Sequence, residues 1–463
     1  MLRSKFLFFE NLFGLFFLLQ TSFPEQLSTH VALSGFILLS ILKHFIEGLR
    51  VTYLLFILIQ FLIFQTTSTY LHLLFTALAF IGIYYFPVYK YPQPTGKYKI
   101  GYKSIEIPGV TTIGVYYPTY QSTEDIKYSP THQAWKRFAV LMRFYAEALK
   151  KRKIPWILFR VAFGLLEHQY LGVNKDASIA REEEGEETKQ FPCIVFSHGL
   201  SANIHIYSIL LKEWASNGFI IFSVDHEEEI HVDTSKIKEY DDYVMLRKVQ
   251  YNDRKMVISR VLDLVSNPLT MFKLFGEKNI ALNYQQLFLS GHSLGAANVG
   301  ETGVEDPRVT GGLLLLDPWF DSSDKDILYQ PIDKPILTLR SSEYDKVEGT
   351  RSYALKHAEI NSSKGLTLSG FFKDSSHNSP TDMIILMPRE LVLFGVIKTL
   401  NDLVDQIVTQ SLLTKTFLAK ALEYNENPEK SRNRNETFKQ SVLNGFRKSL
   451  EKTGIEDTFL VDG

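Results

Sequence analysis

Hydrophobic positions along the chain follow two different rhythms. Over the first ninety residues they form long runs, near 6–19, 31–46, 51–65 and 70–88, separated by short polar breaks. The third run, VTYLLFILIQFLIFQ, lacks the polar face that a surface helix carries. The fourth, YLHLLFTALAFIGIYYFPV, meets the length of a membrane crossing, which takes about 20 helical residues with about 17 as the lower limit. The first is short and broken by Glu10 and Asn11, a pattern suited to lying along a membrane surface. A cleaved leader would account for residues 1–22, but not for the three runs behind them. The pattern therefore predicts a helical membrane region over 1–90, with three or four transmembrane helices.

Pro87, Pro92, Pro94 and Gly96 close that region, and shorter patterns replace it. KYKIGYKSIEI and TTIGVYYP alternate polar and apolar residues, as half-buried antiparallel strands do. A helical insertion at about 130–172, interrupted by Pro155, mixes cations with Phe, Leu and Trp. That mixture suits a bilayer surface, a pocket cover or an ordinary packed helix pair equally. The acidic stretch REEEGEET at 181–188 reads as a solvated loop. From Phe191 the apolar runs shorten to strand length: CIVF, FIIFSV, LFLSG, LLLLD, PILTLR and LTLSGF. Helical patterns separate most of them, which predicts an α/β domain with a mostly parallel central sheet covered on both faces. Right-handed crossovers should connect its strands. This domain is placed at 97–425, ahead of a polar C-terminal tail over 426–463 that carries one more helix near 436–452.

Composition sharpens the division. Residues 1–90 hold eight charged side chains, against 93 in the remaining 373. Basic residues cluster at Arg3 and Lys5, at Lys43 and Arg50, and after Lys90, while the connections near 20–30 and 66–69 have none. By the positive-inside rule this predicts an integral, multi-pass protein with its catalytic domain in the cytosol. The net charge of −1 argues against nucleic-acid binding, which needs a basic excess. Cys193 is the single cysteine, so neither an internal disulfide nor a multi-thiolate metal site can form.

The chemistry centres on Gly291-His292-Ser293-Leu294-Gly295, a G-x-S-x-G match between a strand pattern and a small-residue helix start. Such a turn exposes a serine at a strand end, with glycines where backbone must approach closely. This predicts an α/β-hydrolase fold with Ser293 as nucleophile. A serine hydroxyl needs a base to take its proton, and in this architecture the base follows the nucleophile in the chain. Only His357 and His377 lie downstream. His357 falls in a helical pattern, YALKHAEI, and is expected to face solvent; His377 follows a strand in a polar loop and takes the role. Asp317 and Asp345 both end strand patterns, and spacing does not separate them as the acid. The oxyanion hole needs two backbone N–H groups. Leu294 should supply one, and the loop His198-Gly199-Leu200 after CIVF the other. His226 and His231 are five apart rather than four, so they do not share a helix face as zinc ligands must. No metal and no cofactor is expected.

Taken together, FSHGLSANIHIYS, FIIFSVDHEE, GHSLGAANV, LLLLDPWF, PILTLRSSEY and LSGFFKDSSHNSPTD resemble, in order and spacing, the platelet-activating factor acetylhydrolase family of calcium-independent serine phospholipases A2. The resemblance covers about residues 97–425. It implies Ser293 as nucleophile, Asp317 at the LLLLDPW strand end as acid, His377 as base, and Leu200 and Leu294 as oxyanion donors. It further implies cleavage of a short or oxidised sn-2 acyl chain from a glycerophospholipid substrate. GHSLGA where the family commonly has GHSFGG, and NSPTD in place of an aromatic past the histidine, both touch the acyl pocket. Two rival readings are an esterase or lipase acting on other lipid esters such as acylglycerols, and an inactive membrane lipid-binding protein.

Overall fold

The computed structural model describes residues 51–65, 68–85, 92–107, 110–123, 171–180, 190–200, 202–226, 239–275, 282–382, 403–427, 437–453 and 459–462, with scattered positions between 12 and 40. All six short apolar runs become neighbouring strands: β4 (Phe191–Ser197), β5 (Ile220–Val224), β6 (Leu282–His292), β7 (Gly312–Leu316), β8 (Ile336–Ser341) and β9 (Thr367–Phe372). They pair in parallel in the order β9-β8-β7-β6-β4-β5. The two alternating runs form β1 (Lys99–Ile107) and β2 (Thr111–Thr119), an antiparallel pair that joins the sheet through β5. β3 (Asn174–Lys175) extends that edge, and β10 (Phe459–Val461) pairs antiparallel with β9 at the other. The result is one ten-stranded sheet with helices on its faces, a mixed α/β fold of the α/β-hydrolase kind.

Strands buried on both faces explain why their sequences do not alternate. Leu314 and Leu316 enter one core cluster, while Leu313 and Leu315 enter another on the opposite face. Each such fully buried side chain contributes about 1.5–3 kcal/mol. On the first face lie α3 (Ser208–Ser216), α7 (Leu403–Glu426) and α8 (Phe438–Thr453), through Trp214, Phe417 and Phe446. On the second lie α4 (Tyr240–Val265) and α5 (Leu294–Glu305), through Ile258, Val261 and Val299. The helix α6 (Glu348–Ile360) packs Ala354 on the same side. Residues beyond 425 thus supply a packed helix and a short edge strand.

The integral, multi-pass placement with a cytosolic catalytic domain is corrected. Among the described residues no helix is long and apolar enough to cross a membrane. In the N-terminal region α1 (Val51–Gln65) has 15 residues and α2 (Thr69–Tyr85) has 17. At about 1.5 Å per residue neither reaches across a hydrocarbon core roughly 30 Å thick. The apolar runs were a signal of composition, whereas crossing depends on unbroken helical length. Phe13, Phe17, Phe36, Ile59 and Ile63 instead form a small core of their own. His72 Nε2 reaches the Ile63 carbonyl at 3.0 Å and ties α2 to α1. Most of residues 1–50, nearly all of the insertion at 130–172 and the acidic stretch at 181–188 lie outside the described residues.

Candidate active site

The parallel strands end on one side of the sheet, and the loops leaving them converge there. β6 runs through His292 and turns directly into α5, with Ser293 at the corner. Ser293 has φ 56° and ψ −122°, a conformation that L-residues rarely hold. Its N–H donates to the Leu316 carbonyl at 2.9 Å, and its carbonyl accepts from Trp319 N–H at 3.1 Å, so β7 and its loop fix the strained corner. Glycines make the corner possible. A Cβ on Gly291 would lie 2.6 Å from the Gly295 carbonyl carbon, and one on Gly295 would collide with the Ser197 and His198 carbonyl oxygens.

Of the two downstream histidines, His377 reaches the serine. Its Nε2 lies 3.1 Å from Ser293 Oγ and its Nδ1 3.0 Å from Asp317 Oδ2. Asp317 sits just past β7 with φ 44°, and its carboxylate also accepts from Ser341 N–H and Ser341 Oγ, both at 2.5 Å. Asp345 is spent elsewhere: it accepts from Arg340 Nε at 3.0 Å. His357 departs from expectation in another way. It is buried rather than solvent-facing, its ring lies 5.3 Å from that of Phe320, and neither ring nitrogen has a hydrogen-bond partner among the described residues. Burial lowers its pKa to about 4. The helical period of α6 put His357 on the face turned toward the sheet, a choice that a single helix pattern leaves open.

Leu294 begins α5, where a first-turn N–H has no acceptor within the helix. Leu200 follows β4 by three residues, and the Cβ that Gly199 lacks would stand 3.4 Å from Ser293 Cβ. The oxyanion-loop residues and the nucleophile corner are therefore in contact. His226 Nε2 is engaged with Ser197 Oγ at 2.8 Å, and its backbone N–H donates to His198 Nε2; His231 lies outside the described residues.

Four further groups complete the site. The Tyr344 ring stacks on His377, with centroids 3.8 Å apart and planes 6° from parallel. Burial pushes the pKa of its phenol up, so the hydroxyl keeps its proton beside the site. Glu343 Oε2 accepts the His377 backbone N–H at 2.8 Å. Trp319 donates its indole N–H to Tyr240 Oη at 3.0 Å. His292 lies beside the base, its ring centroid 4.5 Å from that of His377. The short helix Ser342–Asp345 directly after β8 was the available signal for Tyr344 and Glu343, because strand ends in this sheet feed one place. His292, Asp317 and His377 bring three possible metal-ligating atoms within 4.8 Å of one another. A metal there would have to break the Asp317–His377 bond and the 2.9 Å bond from His292 Nε2 to the His377 carbonyl.

Comparison with known proteins covers the same part of the chain. The family model for platelet-activating factor acetylhydrolase, isoform II, matches residues 84–442. The chain belongs to this family. Relatives named platelet-activating factor acetylhydrolase include one from Cavia porcellus, 24% identical over 261 residues that cover 51% of this chain and 58% of the relative. One from Canis lupus familiaris is 22% identical over 360 residues, covering 71% and 76%. The match to the first thus spans little more than half of that relative's length. Among solved structures, a ferulic acid esterase from Streptomyces cinnamoneus has the same fold, with TM-score 0.51 and 17% identity, covering 71% of this chain and 92% of the esterase. The family match begins at residue 84, so nearly all of the apolar N-terminal segment lies outside it. Membership in a family of acetylhydrolases points to chemistry at ester bonds.

Proposed function

We propose that this acetylhydrolase-family protein is a serine-dependent esterase that removes a short or oxidised acyl chain from the sn-2 position of a glycerophospholipid. The observation that carries this reading is the continuous contact Ser293 Oγ–His377 Nε2–His377 Nδ1–Asp317 Oδ2, at 3.1 and 3.0 Å. His377 takes the Ser293 proton as Oγ attacks the ester carbonyl, then returns it to the leaving lysophospholipid alkoxide. Asp317 holds the imidazole with Nδ1–H toward itself, so that Nε2 presents its lone pair to the serine. Ser341 accounts for two of the carboxylate's other bonds and stops it from turning away. The N–H groups of Leu200 and Leu294 receive the tetrahedral oxyanion. Water, deprotonated by His377, then releases the acyl group.

Hydrolysis of an sn-2 acetyl phospholipid in calcium-free buffer, alongside an acylglycerol, tests the reading. Wild type should cleave the phospholipid preferentially, and Ser293→Ala should lower kcat by about 10⁶-fold. Preference for the acylglycerol would move the substrate to other lipid esters. Activity surviving in Ser293→Ala would sink the proposed nucleophile.

A further inference from the structure

We infer that Arg254, Tyr207 and His292 form a clamp that sets the direction of the Gly199–Leu200 peptide and so aims the Leu200 N–H at the reacting carbonyl. The inference rests on the reading above and adds positioning residues to it. In a trans peptide the carbonyl and the N–H point opposite ways, so whatever holds one end aims the other. The His198–Gly199 peptide is held at both ends. Its carbonyl accepts from Arg254 Nη1 at 2.6 Å, and its N–H donates to Tyr207 Oη at 3.0 Å. The next peptide is held at its carbonyl alone: Gly199 O accepts from His198 Nδ1 at 2.7 Å, from Ala202 N–H at 3.2 Å and from Arg254 Nη2 at 3.4 Å. With that carbonyl drawn toward α4, the Leu200 N–H must face the other way.

One assignment of protons satisfies the chain that runs from this loop to the base. A carbonyl can only accept, so His292 Nε2 carries the hydrogen that bonds the His377 carbonyl at 2.9 Å. His292 Nδ1 is then a bare lone pair, and Tyr207 must donate its hydroxyl hydrogen across the 2.8 Å contact. The Tyr207 oxygen is thereby left to accept from Gly199 N–H. Every donor meets an acceptor, and the base loop is joined to the oxyanion loop by neutral groups throughout. Burial keeps it so, holding the His292 imidazole well below its usual pKa and the Tyr207 phenol above it. Gly199 is part of the fit, since a Cβ there would meet His292 Nδ1 at 2.9 Å and Tyr207 Oη at 3.1 Å. Arg254 adds its charge behind the peptide, 1% exposed, where it polarises the N–H that faces substrate.

Tyr207→Phe and Arg254→Lys test the clamp on p-nitrophenyl acetate, with a trifluoromethyl ketone as a probe that becomes an oxyanion when Ser293 adds to it. Each variant should lose about 10²-fold in kcat with KM little changed, as small misplacements of catalytic groups do. Affinity for the ketone should fall by the same factor. The double variant should lose less than the product of the two singles, because both act on one loop. Unchanged ketone affinity in Tyr207→Phe, or a loss confined to KM, would overturn the clamp. So would losses that multiply in the double variant. Urea midpoints verify folding, and if Arg254→Lys does not fold, Tyr207→Phe, which deletes one oxygen, decides alone. Ser293→Ala separates the two ideas: if it retains p-nitrophenyl acetate turnover, the esterase reading itself has failed.

Discussion

The two sides of the Ser293 hydroxyl are built from different materials. On the base side, His377, Asp317 and Glu343 are ionisable groups carried on loops after β7, β8 and β9, and the His377 side chain is 22% exposed. On the oxyanion side, His198–Leu200 are held by a phenol, a neutral imidazole and a guanidinium, all buried. In the proposed reaction protons move on the first side during each turnover. The second stays as it is while charge develops against it, and a buried network already set in place costs no reorganisation at that moment. The His377 ring is partly open to solvent, whereas the Asp317 carboxylate is as buried as the groups that hold His198–Leu200.

Substitutions on the base side should produce the largest effects. Asp317→Asn is expected to lower kcat by about 10⁴-fold, because the amide favours the wrong imidazole tautomer. Asp345→Asn should leave kcat within about threefold and instead reduce stability by about 1–3 kcal/mol, since the buried Arg340 loses one of its carboxylates. Steady-state kinetics and urea unfolding on both variants check the pair, and the reverse pattern would assign the acid to Asp345. Tyr344→Leu comes next. Removing a ring stacked on the imidazole should cost roughly 3- to 30-fold in kcat at unchanged KM. An effect on KM alone would make Tyr344 a substrate contact rather than part of the base side.

The smallest effect concerns pH. His205 and His357 are both lowered to about 4 by burial. Unfolded, each binds a proton near pH 6.5; folded, only near pH 4, so acid favours the unfolded chain. Their contribution is present above pH 6.5 and is lost as pH falls toward 4. Asp382 opposes them: its pKa is raised to about 7 by burial, which outweighs hydrogen bonds from Ser208 and Ile209, so its contribution declines as pH rises from about 4 to 7. His292, held well below its ordinary pKa by the same burial, acts with the two histidines, so three histidines against one aspartate leave a net loss of stability in acid. His357→Phe should flatten the urea-midpoint profile between pH 4 and 6.5 and raise the midpoint at pH 5. A profile as steep as wild type would show that His357 is not the group responsible.

How much of this could be read from sequence followed from how local each signal was. The six parallel strands announced themselves because burial on both faces leaves nothing but apolar residues, and Ser293 did so because a strained corner needs its flanking glycines. His377 was reachable because only two histidines followed the serine. Asp317 and Asp345 stayed equivalent along the chain, since both end strands; only the register of β7 against β8 brings Ser341 to one carboxylate and Arg340 to the other. Arg254 gave no signal in a charged helix, because the His198 and Gly199 carbonyls it meets are backbone atoms 56 and 55 residues away. Tyr344 lay beside a strand pattern without belonging to it, and His292 fills a position that the G-x-S-x-G pattern leaves free. In the N-terminal region apolar composition was legible, whereas helix length was not.

The two outer strands carry a consequence for how the molecule behaves in company. A ten-stranded sheet ordinarily offers two long rows of unpaired N–H and C=O groups on which a second chain could grow. Here one border is β3, two residues long, and the other is β10, three residues long. Beside β10, Asp462 accepts from Arg340 Nη1 and Nη2 at 2.7 and 2.8 Å and pins that border down. At the β10 border the exposed ladder is short and held in place, so that side of the sheet gives neighbouring molecules little template for strand addition; at the other border β3 covers only Gly101 and Tyr102 of β1.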